Sequence, residues 1–183
     1  MVQRSKPNSK RRAPLAGARV LVVDDHSVTV GLIKDVLYAG GATSVQTAHD
    51  GDEALAMLQS FSPHLLVTDW QMPGMSGLAL TRTVRGAVTK SDARIANPRL
   101  PIILVSAHAS AGAVDEARRA GVDEVVVKPF SATSLLKRVA AAANNPRAFV
   151  VTDAYVGPDR RRRRGVAKGR RADDQEARAR TNV

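Results

Sequence analysis

A chain of 183 residues with 44% hydrophobic side chains can build one packed domain with tails, or two small domains, and is too apolar for wholesale disorder. Its formal net charge of +11 sits at the two ends. Residues 1–18 carry five basic side chains (Arg4, Lys6, Lys10, Arg11, Arg12) and no acid, residues 146–183 hold eleven basic against five acidic, and the twelve of each between them cancel, so any polyanion argument belongs to the tails.

The absence of cysteine rules out disulfides, thiolate metal sites and Cys nucleophiles, and fits a reducing cytoplasm. No apolar stretch approaches the length of a membrane span. The segment behind the basic N-terminus is broken by Arg19 and ends on Asp24-Asp25, which argues against a secretory signal.

In chain order, residues 1–18 read as a polar, basic, disordered arm. From 19 to 144 short β-branched runs alternate with helix-period segments. The runs at 20–23, 65–67, 102–105 and 125–127 are continuously apolar, as expected of strands covered on both faces. The run SVQTA at 44–48 alternates and suits an edge strand. Between them, Leu32, Ile33, Val36 and Leu37 form a helical stripe ended by Gly40-Gly41, and Ala54, Leu55 and Leu58 form a second. Leu78, Leu80 and Val84 form a third, and residues 111–120 a fourth, stopped by Gly121. Ser131 is placed to cap a fifth helix carrying Leu135, Leu136, Val139 and Ala140. Five β-α units predict an α/β fold with a doubly wound, parallel five-stranded sheet.

Residues 86–101 are long for a helix-to-strand connection and are expected to be an exposed, mobile insertion. After Asn145 the pattern dissolves into an Arg-rich tail, 145–183, expected to be disordered. Phe149, Val150, Val151 and Tyr155 are its candidates for packing back on the domain, ahead of five consecutive arginines at 160–164.

Four strands end on polar residues: the first on Asp24-Asp25, the third on Asp69, the fourth on Ser106 and the fifth on Lys128. Taken singly, each has an ordinary explanation. An Asp can cap a helix or turn, a hydroxyl can end a strand, and a lysine is usually solvated. In a doubly wound sheet, however, ligand sites form beyond the carboxyl ends of the strands, so the four converge. Three carboxylates, a hydroxyl and an ammonium suit phosphoryl transfer onto an Asp nucleophile, with Mg²⁺ among the acids and Lys128 neutralising the moving oxygens.

The segments LVVDDHS, VTDWQMPGMSGL, PIILVSAHA and VVVKPFS, in this order, resemble the receiver domain of two-component response regulators. The DW-x-MP-x-M-x-G stretch is especially similar to the stand-alone chemotaxis receiver. The resemblance covers residues 19–144 and implies a flavodoxin-like (βα)5 fold. It implies Asp69 as phosphoacceptor, Asp25 as a direct Mg²⁺ ligand, Asp24 ordering metal-bound water, and the backbone carbonyl of Gln71 as a further ligand. Asp69 joins that metal set, Ser106 takes the position of the switch hydroxyl, and Lys128 binds the phosphoryl group ahead of a cis peptide to Pro129. The implied partners are a histidine kinase or histidine phosphotransfer protein and a downstream protein target, with a phosphorylation-dependent homodimer as an option. The implied location is the cytoplasm, without membrane attachment.

One departure from the family pattern concerns the position three before Lys128, generally Tyr or Phe, which here is Val125. A signal read through rotation of that ring is therefore closed to this chain. His26, His49, His64 and His108 show no ligand spacing and read as surface histidines; Trp70 reads as a rim residue. The preferred reading is a single-domain response regulator, a binding module rather than a turnover enzyme. The rival is a DNA- or polyanion-binding regulator whose basic tails are the output, the tails by themselves binding polyanions weakly. An Asp-nucleophile phosphatase is disfavoured because the position two after Asp69 is Gln71 rather than an acid.

Overall fold

The computed structural model describes residues 13–161. Ten elements alternate as β1 (Arg19–Val23), α1 (Ser27–Ala39), β2 (Ser44–Ala48), α2 (Gly51–Phe61), β3 (Leu65–Asp69), α3 (Gly77–Lys90), β4 (Ile102–Ser106), α4 (Ala111–Ala120), β5 (Glu124–Val127) and α5 (Ala132–Asn144). The strands form one parallel sheet ordered β2-β1-β3-β4-β5. This is the doubly wound (βα)5 arrangement that the alternation predicts.

Strand periodicity divides the core between the two faces of the sheet. Val20, Val22, Leu65, Val67, Ile103 and Val105 face one way and pack with Ile33 and Leu37 of α1 and Leu135 and Val139 of α5. Leu21, Val23, Leu66 and Ile102 face the other way, against Leu55 and Leu58 of α2 and Leu80 and Val84 of α3. Residues of β3 and β4 are buried throughout, whereas β2 at the edge is buried only in part, which explains why its sequence alternates. Ser76, Ser110 and Ser131 cap α3, α4 and α5, each accepting a hydrogen bond from the amide three residues on.

Three predicted disordered or mobile segments are ordered where they are described. Of the N-terminal arm, residues 13–18 form a turn whose Leu15 is 2% exposed in the core, with its amide bonded to the Gly40 carbonyl. Leu15 packed with residues of α1 and α5, the Asn144 side-chain amide donating to the Pro14 carbonyl at 2.8 Å and the Thr43 amide donating to the Ala18 carbonyl at 2.8 Å hold it there. Of the predicted insertion at 86–101, the first part continues α3 to Lys90. The remainder is compact because Ile95 and Leu100 are buried.

Beyond Asn145, β6 (Phe149–Thr152) and β7 (Tyr155–Pro158) form an antiparallel hairpin, so the tail is not without structure. Residues 1–12 and 162–183, including Arg162, Arg163 and Arg164 of the arginine run, lie outside the described residues.

Arg85 ties these additions together. It is 2% exposed, and its guanidinium donates to the carbonyls of Gly121 (3.0 Å), Pro98 (2.7 Å) and Leu100 (2.9 Å) and to Asp123 Oδ2 (2.9 Å). The same guanidinium lies 5.4 Å from the centroid of the Phe149 ring. One buried arginine thus joins α3, the connection into β4, the α4-to-β5 turn and the hairpin.

Candidate functional site

The chain passes from β1 out to β2 and then crosses back to β3, so β1 and β3 flank the point where strand order reverses. Side chains at their carboxyl ends face a common crevice. Asp24 follows β1 directly and is 1% exposed; Asp69 is the last residue of β3 and is 7% exposed. Neither Asp24 nor Asp25 caps α1, since the N-cap residue is His26. Asp24 Oδ1 instead accepts the His26 amide at 2.8 Å.

Gly77 is what allows β3 to end so close to the start of α3. A Cβ there would collide with the main-chain oxygen of Asp69 and approach the Thr68 hydroxyl to 2.9 Å. The Gln71 amide then donates to Asp69 Oδ2 at 2.7 Å, which fixes the carboxylate; Gln71 itself is exposed.

Lys128 follows β5 by one residue, and its peptide to Pro129 is cis. Its ammonium lies 2.5 Å from Asp69 Oδ1 and 3.2 Å from Asp24 Oδ2, bridging the two buried carboxylates. Partial burial pulls the lysine pKa down, but the hydrogen bond to Asp69 and the charges of Asp69 and Asp24 outweigh it. The net result is a pKa raised above the ordinary lysine value. The ammonium is therefore held charged between two carboxylates.

Ser106 ends β4 fully buried, but its hydroxyl is engaged with the main chain of His108, accepting from the amide at 2.8 Å and donating to the carbonyl at 3.2 Å. Thus Asp24, Asp69 and Lys128 are brought into direct contact, and Ser106 is near them in the sheet but bonded elsewhere. Lys128 is linked to Ser106 only through the main chain, its amide donating to the Ser106 carbonyl at 2.7 Å.

Two residues read as bland from sequence have specific neighbours. His26 Nδ1 is 2.9 Å from Asp25 Oδ1 and 3.5 Å from Asp24 Oδ1, so Asp24, Asp25 and His26 present their ligand atoms within 4.8 Å of one another. No i,i+4 or similar spacing announces this, because a sharp turn rather than a helix face brings them together. Trp70 packs with Val125 against a small cluster of Leu78, Leu104, Ala117, Ala120 and Val122, and its ring lies 5.9 Å from that of His108. Val125 is therefore a packing residue at the position where the resemblance expects an aromatic ring.

The donor set fits a hard divalent cation. Three carboxylates converge against one ammonium, and Asp24 is almost wholly buried, so the site carries uncompensated negative charge that a dication would neutralise.

Residues 20–140 match the response regulator receiver domain family. Over 121 residues the chain is 42% identical to the chemotaxis protein CheY of Pseudomonas aeruginosa, spanning 66% of this chain and 92% of that protein. It is 36% identical over the same length to the chemotaxis protein CheY-3 of Vibrio cholerae, spanning 88% of it. Among solved structures, the chemotaxis protein CheY4 of Vibrio cholerae superposes with a TM-score of 0.58 at 31% identity, covering 68% of this chain and 99% of that one. The receiver domain of the putative response regulator NarL from Mycobacterium tuberculosis gives 0.61 at 27%, covering 71% and 98%. The β6–β7 hairpin lies beyond the matched residues.

Proposed function

The chain belongs to the response regulator receiver family, whose members are signalling modules that take a phosphoryl group from a histidine kinase, and we propose that Asp69 is the residue that receives it. The observation that carries this reading is the Lys128 ammonium held between Asp69 and Asp24 at the reversal of strand order. Asp69 Oδ attacks phosphorus as the P–N bond of a phosphohistidine breaks and the donor imidazole leaves. The product is an acyl phosphate on β3. Lys128 neutralises the oxygens of the transferred group, and the Ser106 hydroxyl turns from the His108 main chain to donate to it.

Mg²⁺ would be held by Asp24, Asp25, Asp69 and the Gln71 carbonyl, and when bound would offset the charge that builds on the phosphoryl oxygens. The direct donor is a histidine kinase or histidine phosphotransfer protein. The output is a change in protein binding, in the cytoplasm; among the described residues no helix is long and apolar enough to cross a membrane. Incubation with acetyl phosphate or a phosphohistidine donor should give a phosphoryl adduct by intact mass that Asp69→Asn and EDTA each abolish. Undiminished labelling of the Asn variant would sink the assignment.

A second reading, polyanion binding through the basic ends, is favoured by one observation. The arginine run leaves the hairpin from a fixed point, with Arg160 stacked 4.7 Å from the Tyr155 ring centroid. Five arginines on duplex DNA would give a log K against log salt slope of about −4.5, so such binding would be weak at cellular ionic strength. Tight binding of one DNA sequence in such salt would promote this reading over the first.

A further inference from the structure

We propose that the unphosphorylated chain forms a symmetric dimer by packing the groove between α1 and α5 against the same groove of a second copy. The groove measures about 610 Å³. Leu32, Val36, Leu136 and Ala140 lie along it, with Asp35 on the α1 wall and Lys137 on the α5 wall.

The pattern of the two helices is that of a helix-packing surface. Their inner sides are occupied by the sheet, through Ile33 and Leu37 of α1 and Leu135 and Val139 of α5. Val28, Leu32 and Val36 recur every fourth residue on α1, and Ala132, Leu136 and Ala140 do so on α5. Rows at that spacing are the ridges by which helices interdigitate. At the outer end of the α1 row, Val28 is 85% exposed and Leu32 48%, so an apolar ridge stands in water beside an apolar groove.

Charge selects the occupant. Asp35 and Lys137 are both exposed and stand with opposite sign on opposite walls. A two-fold axis crossing the groove between them sets each Asp35 against Lys137 of the second copy, giving two ion pairs around an apolar centre. Residues 1–12 precede Pro14, which also lines the groove, but they carry five basic side chains. That segment suits neither the apolar floor nor Lys137. Asp24, Asp69, Ser106 and Lys128 take no part in the groove, so the association does not require a phosphoryl group.

The test is sedimentation velocity of the untagged, unphosphorylated full-length chain over a concentration series. Wild type, Leu32→Glu, Asp35→Lys, Lys137→Asp and an equal mixture of the last two are compared, with far-UV circular dichroism to show that each is folded. Wild type should pass from monomer to dimer as concentration rises. Leu32→Glu should weaken the dimer about tenfold or more, as loss of a central apolar contact does. Each charge reversal alone should weaken it, and the mixture should recover it, because every lysine then meets an aspartate on the other chain. The reversals lie at exposed positions and carry the test should Leu32→Glu disturb α1. A wild type that stays monomeric throughout, a dimer indifferent to Leu32→Glu, or a mixture no better than its components overturns the proposal. Dimer seen only after deletion of residues 1–12 also overturns it, by giving the groove to that segment. A monomeric wild type whose labelling by a histidine kinase falls in Leu32→Glu overturns it in favour of the kinase as the occupant.

Discussion

Replacing Arg85 by methionine removes a side chain that bonds to four groups in two segments of the fold, the connection into β4 and the turn before β5. The substitution leaves the carbonyls of Gly121, Pro98 and Leu100 and the carboxylate of Asp123 without their guanidinium donors. Breaking one partner of a buried ion pair costs about 3–5 kcal/mol, and each carbonyl left unsatisfied adds about 1 kcal/mol or more if water cannot reach it. For a chain of this size, a midpoint shift of about 2–4 °C per kcal/mol makes the expected fall in Tm roughly 10–30 °C.

The pair itself is not a bargain for the protein. Burial pushes the Asp123 carboxyl up despite Arg85, and burial likewise pulls the Arg85 guanidinium down despite Asp123. In both, desolvation outweighs attraction, so a double variant Arg85→Met/Asp123→Leu should lose much less than the two single changes together. Urea and thermal unfolding followed by far-UV circular dichroism would measure all three. A single Arg85→Met cost below about 1 kcal/mol, or a double variant as damaged as the sum, would refute the reasoning.

Lys128→Ala should lower stability, because Asp24 and Asp69 lose the ammonium between them, but leave a folded domain in which phosphorylation is uncoupled from conformational change; amide shifts that still respond to beryllofluoride would contradict this. The raised pKa of Asp123 favours its neutral form in the folded state, so its contribution is most favourable below an unfolded pKa of about 3.9 and fades as pH rises through the folded value. The stability of wild type relative to Asp123→Asn should therefore decline across that window in urea titrations, and a rise would reverse the assignment. Truncation after Asn145 removes the ring beneath Arg85 and should lower stability by at least about 1 kcal/mol while preserving Asp69 labelling, as checked by thermal melts and intact mass. Gly86→Ala, in the interior of α3 with open space around it, should stabilise by about 0.5–1 kcal/mol, whereas Gly77→Ala should destabilise and impair labelling because its Cβ meets the Asp69 carbonyl.

The parts of this molecule legible in its sequence are those whose signal is periodic or sits at a strand end. Continuous apolar runs give β1, β3 and β4 because both faces of a parallel sheet are covered. A polar residue closing such a run gives Asp24, Asp69, Ser106 and Lys128 because the sheet topology gathers those ends. What was missed has no periodicity. Leu15 is a lone leucine in a basic arm, Ile95 and Leu100 lie five residues apart in a polar connection, and His26 meets Asp25 through a turn. Arg85 carries the least signal of all. A long cationic side chain on a helix reads as solvated, and only its three carbonyl partners and Asp123 explain its burial.

The two ends of the sheet therefore follow different rules. At the carboxyl ends of the strands lie the acidic pair, Asp69 and Lys128, the positions that the family resemblance singles out. At the opposite end, Arg85 gathers the entry to β4 and the turn before β5 through main-chain carbonyls and one carboxylate, and meets the hairpin through the Phe149 ring. Main-chain acceptors put no constraint on the sequence that supplies them, so such a hub can hold an added hairpin without leaving a motif. Gly121 and Gly157 mark the contact. A Cβ on Gly121 would approach the Val156 carbonyl to 3.0 Å, and one on Gly157 would approach the Gly121 Cα to 2.9 Å. The hairpin is thus seated backbone against backbone on the turn between α4 and β5, which leads directly into the strand preceding Lys128. Gly121 thereby joins the hairpin to the segment that leads into β5, the strand whose last residue directly precedes Lys128.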